Sequence, residues 1–320
     1  MRIAICYNEP TPGDIADEDV LVQVDEVSVA LRELGYQCLH VPCTLDLGAM
    51  VDTLSRIEAH SVFNLVEALG GTDRLAVLVP EVLEATGVPY TGVQVPAFRL
   101  LVDKLATRQL LESSQIAVPR CGTRDFLPGR YIIKARYEHA SVGMDDSAVV
   151  NVSTREALLR QIRQRADNTG FEMISEAFVD GREFNVSLLG NSDGSVKVLT
   201  PAEIDFAGFP AHKPRIVGYD AKWMPASFEY GATPRRFDFL PEDRVLINTI
   251  KAQCEAVWMT FGLTGYARVD IRVDATGTPY VVDINPNPCL SHDAGFQAAL
   301  AQDGTDFTEA VAAIMALSFA

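Results

Sequence analysis

The chain begins with a seven-residue run, RIAICYN (2–8), that is apolar at most positions. It is followed by VLVQVDEVSVALRELG (20–35), whose apolar residues recur every three or four positions up to Gly35. The first pattern reads as a buried strand and the second as an amphipathic helix closed by glycine. The alternation continues with YQCLHVP as a strand, a helix near 45 to 59, SVFNLV as a buried strand, a helix through LAVLVPEVLEATG, and VPYTG. This rhythm predicts a parallel sheet with covering helices over residues 1–100. Residues 8–19, acidic and rich in Pro and Gly, read as a loop at the carboxyl end of the first strand, where ligands meet open α/β sheets. No G-x-G-x-x-G follows that strand, so a dinucleotide site has no support.

Residues 101–183 read as a second unit of mixed α+β type: a helix DKLATRQLLESS, charged strands within YIIKARYEHASVGMDDSAVVNV, a helix over about 154–167, and FEMISEAFVDGREFNVSLLG. Its small-residue loop, HASVGMDD, has the flexibility of a flap over phosphates. Residues 184–320 form a third unit, also α+β. It contains a strand near VKVLTPAEI, a connection from 204 to 239, a helix EDRVLINTIKAQCEAVWMTFG and a final hairpin. The connection is longer than structureless loops usually are, which marks it as functional or disordered.

The hairpin, GYARVDIRVDATGTPYVVDINPNP, carries the sharpest candidate chemistry. Asp283, Asn285 and Asn287 alternate as the first ligands of a calcium loop would. An EF-hand, however, needs Gly at its sixth position and Glu at its twelfth, and Pro288 and Ala294 stand there. A two-residue turn at Thr276-Gly277 predicts Asp270 opposite Asp283 and Arg268 opposite Asn285. Opposed carboxylates begin about 5 Å apart at Cβ and repel unless something neutralises them. A divalent cation would do so, and two carboxylates with an amide oxygen suit Mg²⁺. Arg268 adds a positive charge for a phosphoryl group or a developing oxyanion. The competing reading is the solvated polar face of an ordinary edge hairpin.

With 48% hydrophobic and 22% charged residues the chain reads as an ordinary globular protein. A formal net charge of -16 argues against nucleic-acid and anionic-membrane partners, so any phosphate ligand must be held by a few placed cations. The six cysteines show no C-x-x-C pair and read as reduced thiols. No secretory pattern and no apolar run of membrane-spanning length is visible, so a cytoplasmic location is the expectation.

Taken in order, GVPYTG, VDKLATRQLLESSQIAVP, YIIKARYEHASVGM, ISEAFVDGREFNV, YDAKW, GYARVDIRVD and VVDINPNPCLSHDAGF resemble the ATP-grasp superfamily, and within it proteins similar to D-alanyl-D-alanine ligase. The resemblance spans nearly the whole chain. It implies an ATP-grasp fold, with ATP clasped between the two α+β units and an N-terminal α/β domain helping to hold the substrate. It implies that Lys104 and Lys134 touch the ATP phosphates, and that Glu176, Ala177 and Val179 read adenine while Glu183 binds ribose. Ser141 and Gly143 would lie in the flap, and Lys222 would close over the γ-phosphate. Asp270, Asp283 and Asn285 would hold Mg²⁺, two ions in all, and Arg268 would stabilise the reacting centre. The activity implied is carboxylate activation by ATP to an acyl phosphate, then attack by an amine to give an amide. A homodimer through the N-terminal domain is a further expectation.

The substrate side departs from that pattern. Glu67 stands where the family has histidine, Ala140 replaces the first flap serine, and Trp223 replaces the tyrosine after the loop lysine. The glutamate that holds the first substrate's ammonium has only Asp14, Asp17, Glu18 and Asp19 as nearby candidates. Ser291, His292 and Asp293 follow the hairpin, where Ser291 and Asp293 are expected to contact substrate and His292 to lie on the surface. These changes imply small-molecule amino-acid or related carboxylate and amine substrates other than D-alanine. Two rivals remain: an ATP-grasp cyclase or peptide-modifying enzyme with a single amino-acid-derived substrate, and a non-catalytic nucleotide-binding module.

Overall fold

The computed structural model describes residues 1–139 and 141–319; the replacement at Ala140 therefore lies outside the described residues. Strands β1 (Arg2–Asn8), β2 (Gln37–Cys43) and β3 (Ser61–Leu65) form a parallel sheet in the order β2-β1-β3. Helices α1 (Ile15–Glu33), α2 (Leu47–Arg56) and α3 (Leu78–Thr86) connect and cover it. Helix α1 starts five residues earlier than its apolar period suggests. Asp14 caps it by accepting from the Ala16 and Asp17 amides, and the acids Asp17 and Glu18 suit the positive end of the helix dipole. Its buried side carries Val20, Val24, Val27 and Leu31, and Gly35 ends it at φ +84°. The expected strand VPYTG reduces to one parallel bridge, Tyr90 to Val62.

Helices α4 (Val95–Leu101) and α5 (Lys104–Ser113) follow, then an antiparallel sheet of order β5-β4-β6 built from β4 (Gly129–Ala135), β5 (Val149–Val152) and β6 (Met173–Ala177). Helix α6 (Arg155–Thr169) covers it, capped by Thr154, with Tyr131, Ile133, Leu158 and Met173 in its small core. Strands β7 (Arg182–Gly190), β8 (Val196–Val198) and β9 (Ala202–Ile204) belong to the next sheet, so VKVLTPAEI is two strands rather than one. The stretch from 204 to 239 is ordered by helices α7 (Tyr219–Trp223) and α8 (Phe228–Gly231), by β10 (Arg235–Arg236), and by a cluster of Ile204, Phe206 and Phe209. Helix α9 (Arg244–Phe261), strands β11 (Tyr266–Val273) and β12 (Pro279–Asn285), and helices α10 (Gly295–Gln302) and α11 (Phe307–Leu317) complete the chain.

The third sheet runs β10-β9-β7-β11-β12, with β8 on β7. Ile250, Val257 and Trp258 of α9 pack beneath it with Phe98 and Leu101 of α4 and Leu111 of α5. Helix α5, expected in the middle unit, therefore buries its apolar side in the third unit's core. Helix α11 packs through Val311 and Ile314 in a cluster that also holds Val27 and Leu31 of α1, tying the end of the chain to its beginning. Among the described residues no helix is long and apolar enough to cross a membrane.

At the hairpin, Asp270 faces Asp283 and Arg268 faces Asn285, as expected, but by a different route. The turn is one residue longer: Val273 pairs with Pro279, Asp274 N donates to Thr278 O, and Gly277 takes φ +83°. A bulge between Asp270 and Ile271 then shifts the register back, leaving Val282 as the extra residue on β12.

Candidate active site

Period two along β7 and β11 sorts the third sheet into two faces. Phe184, Val186, Val269 and Ile271 point into the core, while Glu183, Asn185, Arg268, Asp270 and Arg272 line a cleft opposite the middle sheet. Lys134 on β4, Glu176 and Ala177 on β6, Val179 beyond it, and Lys104 at the start of α5 close the other side. Lys222 from α7 and Asp283 and Asn285 from β12 complete the cleft. Every nucleotide-side and metal-side residue expected from the sequence lines this cleft except Gly143. That glycine, at φ +66°, gives its carbonyl to Arg165 of α6, and its neighbours Val142 and Met144 face the cleft instead.

Several of the charges inside the cleft are paired with one another. Glu176 bridges Lys134 Nζ at 2.8 Å and Arg108 Nη1 at 3.2 Å. Lys134 Nζ also donates to Val282 O at 2.7 Å, the carbonyl of the bulge residue. Arg268 binds Asp270 through two hydrogen bonds of 2.7 and 2.9 Å, and Asn185 Nδ2 adds a third to the same carboxylate at 2.8 Å. Arg272 pairs with Glu183 at 2.5 Å and donates to Val179 O. Burial pushes the Glu183 carboxyl up, with Arg272 opposing it. Burial works to raise Asp283 as well, but Lys104, His139 and Lys134 outweigh it and hold this carboxyl well below the usual range. Burial lowers the Lys222 pKa, and Arg268 adds to the fall.

Protein cations stand beside both opposed carboxylates, Arg268 at Asp270 and Lys104, His139 and Lys134 around Asp283. Among the described residues no group of three or more His, Cys, Asp or Glu gathers at a metal-sized point. The donor set still fits a hard cation. Asp270, Asp283 and Asn285 offer only oxygen, Asp283 stays ionised, and both ring nitrogens of half-buried His139 are shielded from solvent without hydrogen-bond partners, with Nδ1 standing 3.5 Å from Asp283.

The flap rests on the segment before α7. Ser141, buried at φ +60°, donates its hydroxyl to Val217 O at 2.8 Å, and Tyr219 N donates to Met144 O. Gly218 permits this approach, since a Cβ there would lie 2.7 Å from Met144 O. Ala177 N is already given to Arg120 O, which leaves its carbonyl for a ligand. Sequence reasoning missed Arg108, one helical turn beyond Lys104 on α5, and Asn185 and Arg272, which period two places beside Glu183 and Asp270. It also missed Glu138, which ties the flap's root to the Thr72 hydroxyl and the Asp73 amide.

A second cavity, of about 440 Å³, lies between α1, the 66–73 turn, α7 and the segment after β12. Glu67, Trp223, Ser291 and Asp293 all line it, and so do Asp17 and Asp19. Asp14 is spent on the helix cap, and Glu18 accepts from Gly13 N. His292 is exposed and bonded to Glu26, as a surface residue should be. Burial pushes the Glu67 carboxyl up to about 7 against a hydrogen bond from Gln23; Asp73 and Asp19 add to the rise. The polar residues common to the two cavities are Asn185, Lys222, Arg268 and Asn285, and Val142 and Val217 also line both.

A family model described as D-ala D-ala ligase C-terminus matches residues 92–316, well over half of the chain. The D-alanine–D-alanine ligase B of Pseudomonas putida is 28% identical over 333 residues, covering 100% of this chain and 93% of its own. An uncharacterized protein of Sinorhizobium fredii, y4sG, is 28% identical over 306 residues, covering 91% of this chain and 85% of its own. The crystal structure of the D-alanine–D-alanine ligase from Bacillus anthracis complexed with ATP superposes with a TM-score of 0.74, covering 100% of this chain and 97% of that one, at 17% identity. That last likeness is one of fold.

Proposed function

The chain belongs to the D-ala D-ala ligase C-terminus family and has an ATP-grasp fold, and from that premise we propose that it is an ATP- and Mg²⁺-dependent carboxylate-amine ligase with an altered amino-acid pocket. The observation that carries the proposal is the wall common to both cavities, where Lys222, Arg268, Asn185 and Asn285 face nucleotide and substrate alike. A carboxylate in the second cavity meets the end of a nucleotide in the first across these four side chains.

In this reading Lys104 and Lys134 hold the phosphates, and Glu183 and the 176–179 segment hold the nucleoside. Mg²⁺, held by Asp270, Asp283 and Asn285, would neutralise phosphate charge. Phosphoryl transfer to a carboxylate brings anions together, so positioning and fixed cations do most of the work. Lys222 and Arg268 supply those cations on the shared wall. The carboxylate oxygen attacks the terminal phosphorus, ADP leaves, and the amine then attacks the acyl carbon. Phosphate departs with the former carboxylate oxygen, the amine loses a proton, and an amide remains. Arg268 faces the oxyanion formed in that second step. The units 1–100, 101–183 and 184–320 divide the labour as substrate holder, nucleotide cover and catalytic sheet. Location in the cytoplasm and pairing of two chains through the first unit belong to the same proposal.

The test is ADP release across single and paired L- and D-amino acids, with mass spectrometry of products. Release that needs a pair and yields the mass of both minus water supports the ligase. Release with one compound alone moves the assignment to a cyclase, and nucleotide binding without release under any pair moves it to a binding module.

A further inference from the structure

The second cavity is unusually acidic for a site that must admit a carboxylate. Asp17, Asp19, Glu67, Asp73 and Asp293 line it against Lys222, Arg235 and Arg268. Arg268 is held by Asp270, and Arg235 is exposed and gives a hydrogen bond to the Asp293 carbonyl at 2.5 Å. Among the described residues none of the five acids has a cation within salt-bridge distance; each makes hydrogen bonds to neutral groups at most. They also repel one another. Burial raises Asp19, with Asp293 and Glu26 adding to the rise against hydrogen bonds from Cys289 and Gln23, and Glu67 feels both Asp73 and Asp19. Arg268 offsets part of this at Glu67, and His139 and Lys104 at Asp73, but none of them pairs with these acids, and a ligand cation relieves the remaining cost of partly desolvated like charges.

One α-ammonium brings a single positive charge, and the substrate's own carboxylate cancels it. The basic wall at Lys222 and Arg268 fixes where that carboxylate goes, because it is the wall shared with the nucleotide cleft. Asp19 and Glu67, with Gln23 between them, line the same cavity and are left for the remainder of the substrate. We propose, resting on the ligase reading, that the substrate in this cavity carries a second positive group, an amine or guanidinium on its side chain, received by Glu67 and Asp19. This makes the chain a ligase for a basic amino acid and makes Glu67 and Asp19 its specificity-determining residues.

The test compares diaminopropionate, ornithine, lysine and arginine, in both stereochemistries, with 2-aminobutyrate, norleucine and 2-aminoheptanoate, the neutral isosteres of the first three. It uses ADP release for turnover and calorimetry for binding to the full chain with ATP present. The expected result is a preference of about tenfold or more in kcat/KM for a basic compound over its neutral isostere, with the ratio falling toward one in Glu67→Gln and in Asp19→Asn. Circular dichroism and ATP binding of each variant show that it has folded. Equal or better use of the neutral compounds overturns the proposal while leaving the ligase intact. Basic compounds that bind in a Glu67-dependent manner but elicit no ADP release with any partner uphold the recognition and overturn the ligase reading. Failure of every basic compound both to bind and to react overturns the proposal.

Discussion

Arg108 was invisible as a functional residue in the sequence, yet the structure gives it a measurable task. It is 5% exposed and reaches the buried carboxylate of Glu176 at 3.2 Å, Glu112 at 2.9 Å and the Pro119 carbonyl. Replacement by Met keeps the volume and removes the charge. Glu112 loses little, because Arg124 holds it at 2.7 Å on the surface. The Pro119 carbonyl loses its donor, at about 1 kcal/mol. Glu176 loses one of its two cations; breaking a buried pair costs about 3–5 kcal/mol, and the remaining Lys134 at 2.8 Å takes back about half of that. The total is about 3 kcal/mol, or a melting temperature lower by about 6 °C. Lys134 would then be drawn more tightly to Glu176 and away from a phosphate, so ATP affinity should fall as well. Urea unfolding and nucleotide titration of Arg108→Met measure both quantities. A loss under about 1 kcal/mol with unchanged ATP affinity refutes the reasoning that this pair is buried and coupled to the phosphate lysine.

Asp283→Asn should abolish turnover while leaving most nucleotide affinity, measured by ADP release and by titration; an unchanged rate contradicts the metal role. Gly218→Ala should push the flap off the α7 segment, because the added methyl meets Met144 O at 2.7 Å. Its KM for ATP should rise roughly tenfold, with faster amide exchange over 141–148. Glu67 gives a pH prediction. Its folded pKa, pushed up to about 7, lies above its unfolded value, so its contribution to stability is complete below the unfolded value, near 4.5, and is lost as pH rises through about 7. Glu67→Gln should therefore flatten the fall in melting temperature between those pH values, an effect on the order of 2 kcal/mol allowing for solvent in the cavity. Parallel pH profiles for the two proteins exclude it.

Much of this site could be read from alternation alone. Asp270, Asp283, Arg268 and Asn285 meet because strands repeat every two residues, and Glu183 lies on the same face for that reason. The register came out right although the turn was read one residue short, since the bulge at Val282 cancels the error. That bulge has no composition signal, and its exposed carbonyl is the one Lys134 takes. Helix α1 begins earlier than its apolar period predicts because Asp14 caps a first turn whose one large apolar residue, Ile15, is exposed. The pairing of Arg108 with Glu176, 68 residues away, and the seat of α5 on the third sheet depend on contacts distant in sequence, which local patterns do not encode.

In the proposed reaction a carboxylate oxygen passes to phosphate through an acyl phosphate formed between the two cavities. The most direct measurement uses a substrate labelled with ¹⁸O in its carboxylate, an amine partner, ATP and Mg²⁺, with mass analysis of the released phosphate. One labelled oxygen in inorganic phosphate, with ADP as the other product, is the predicted result. Unlabelled phosphate accompanying product formation, or AMP and pyrophosphate in place of ADP, would contradict it.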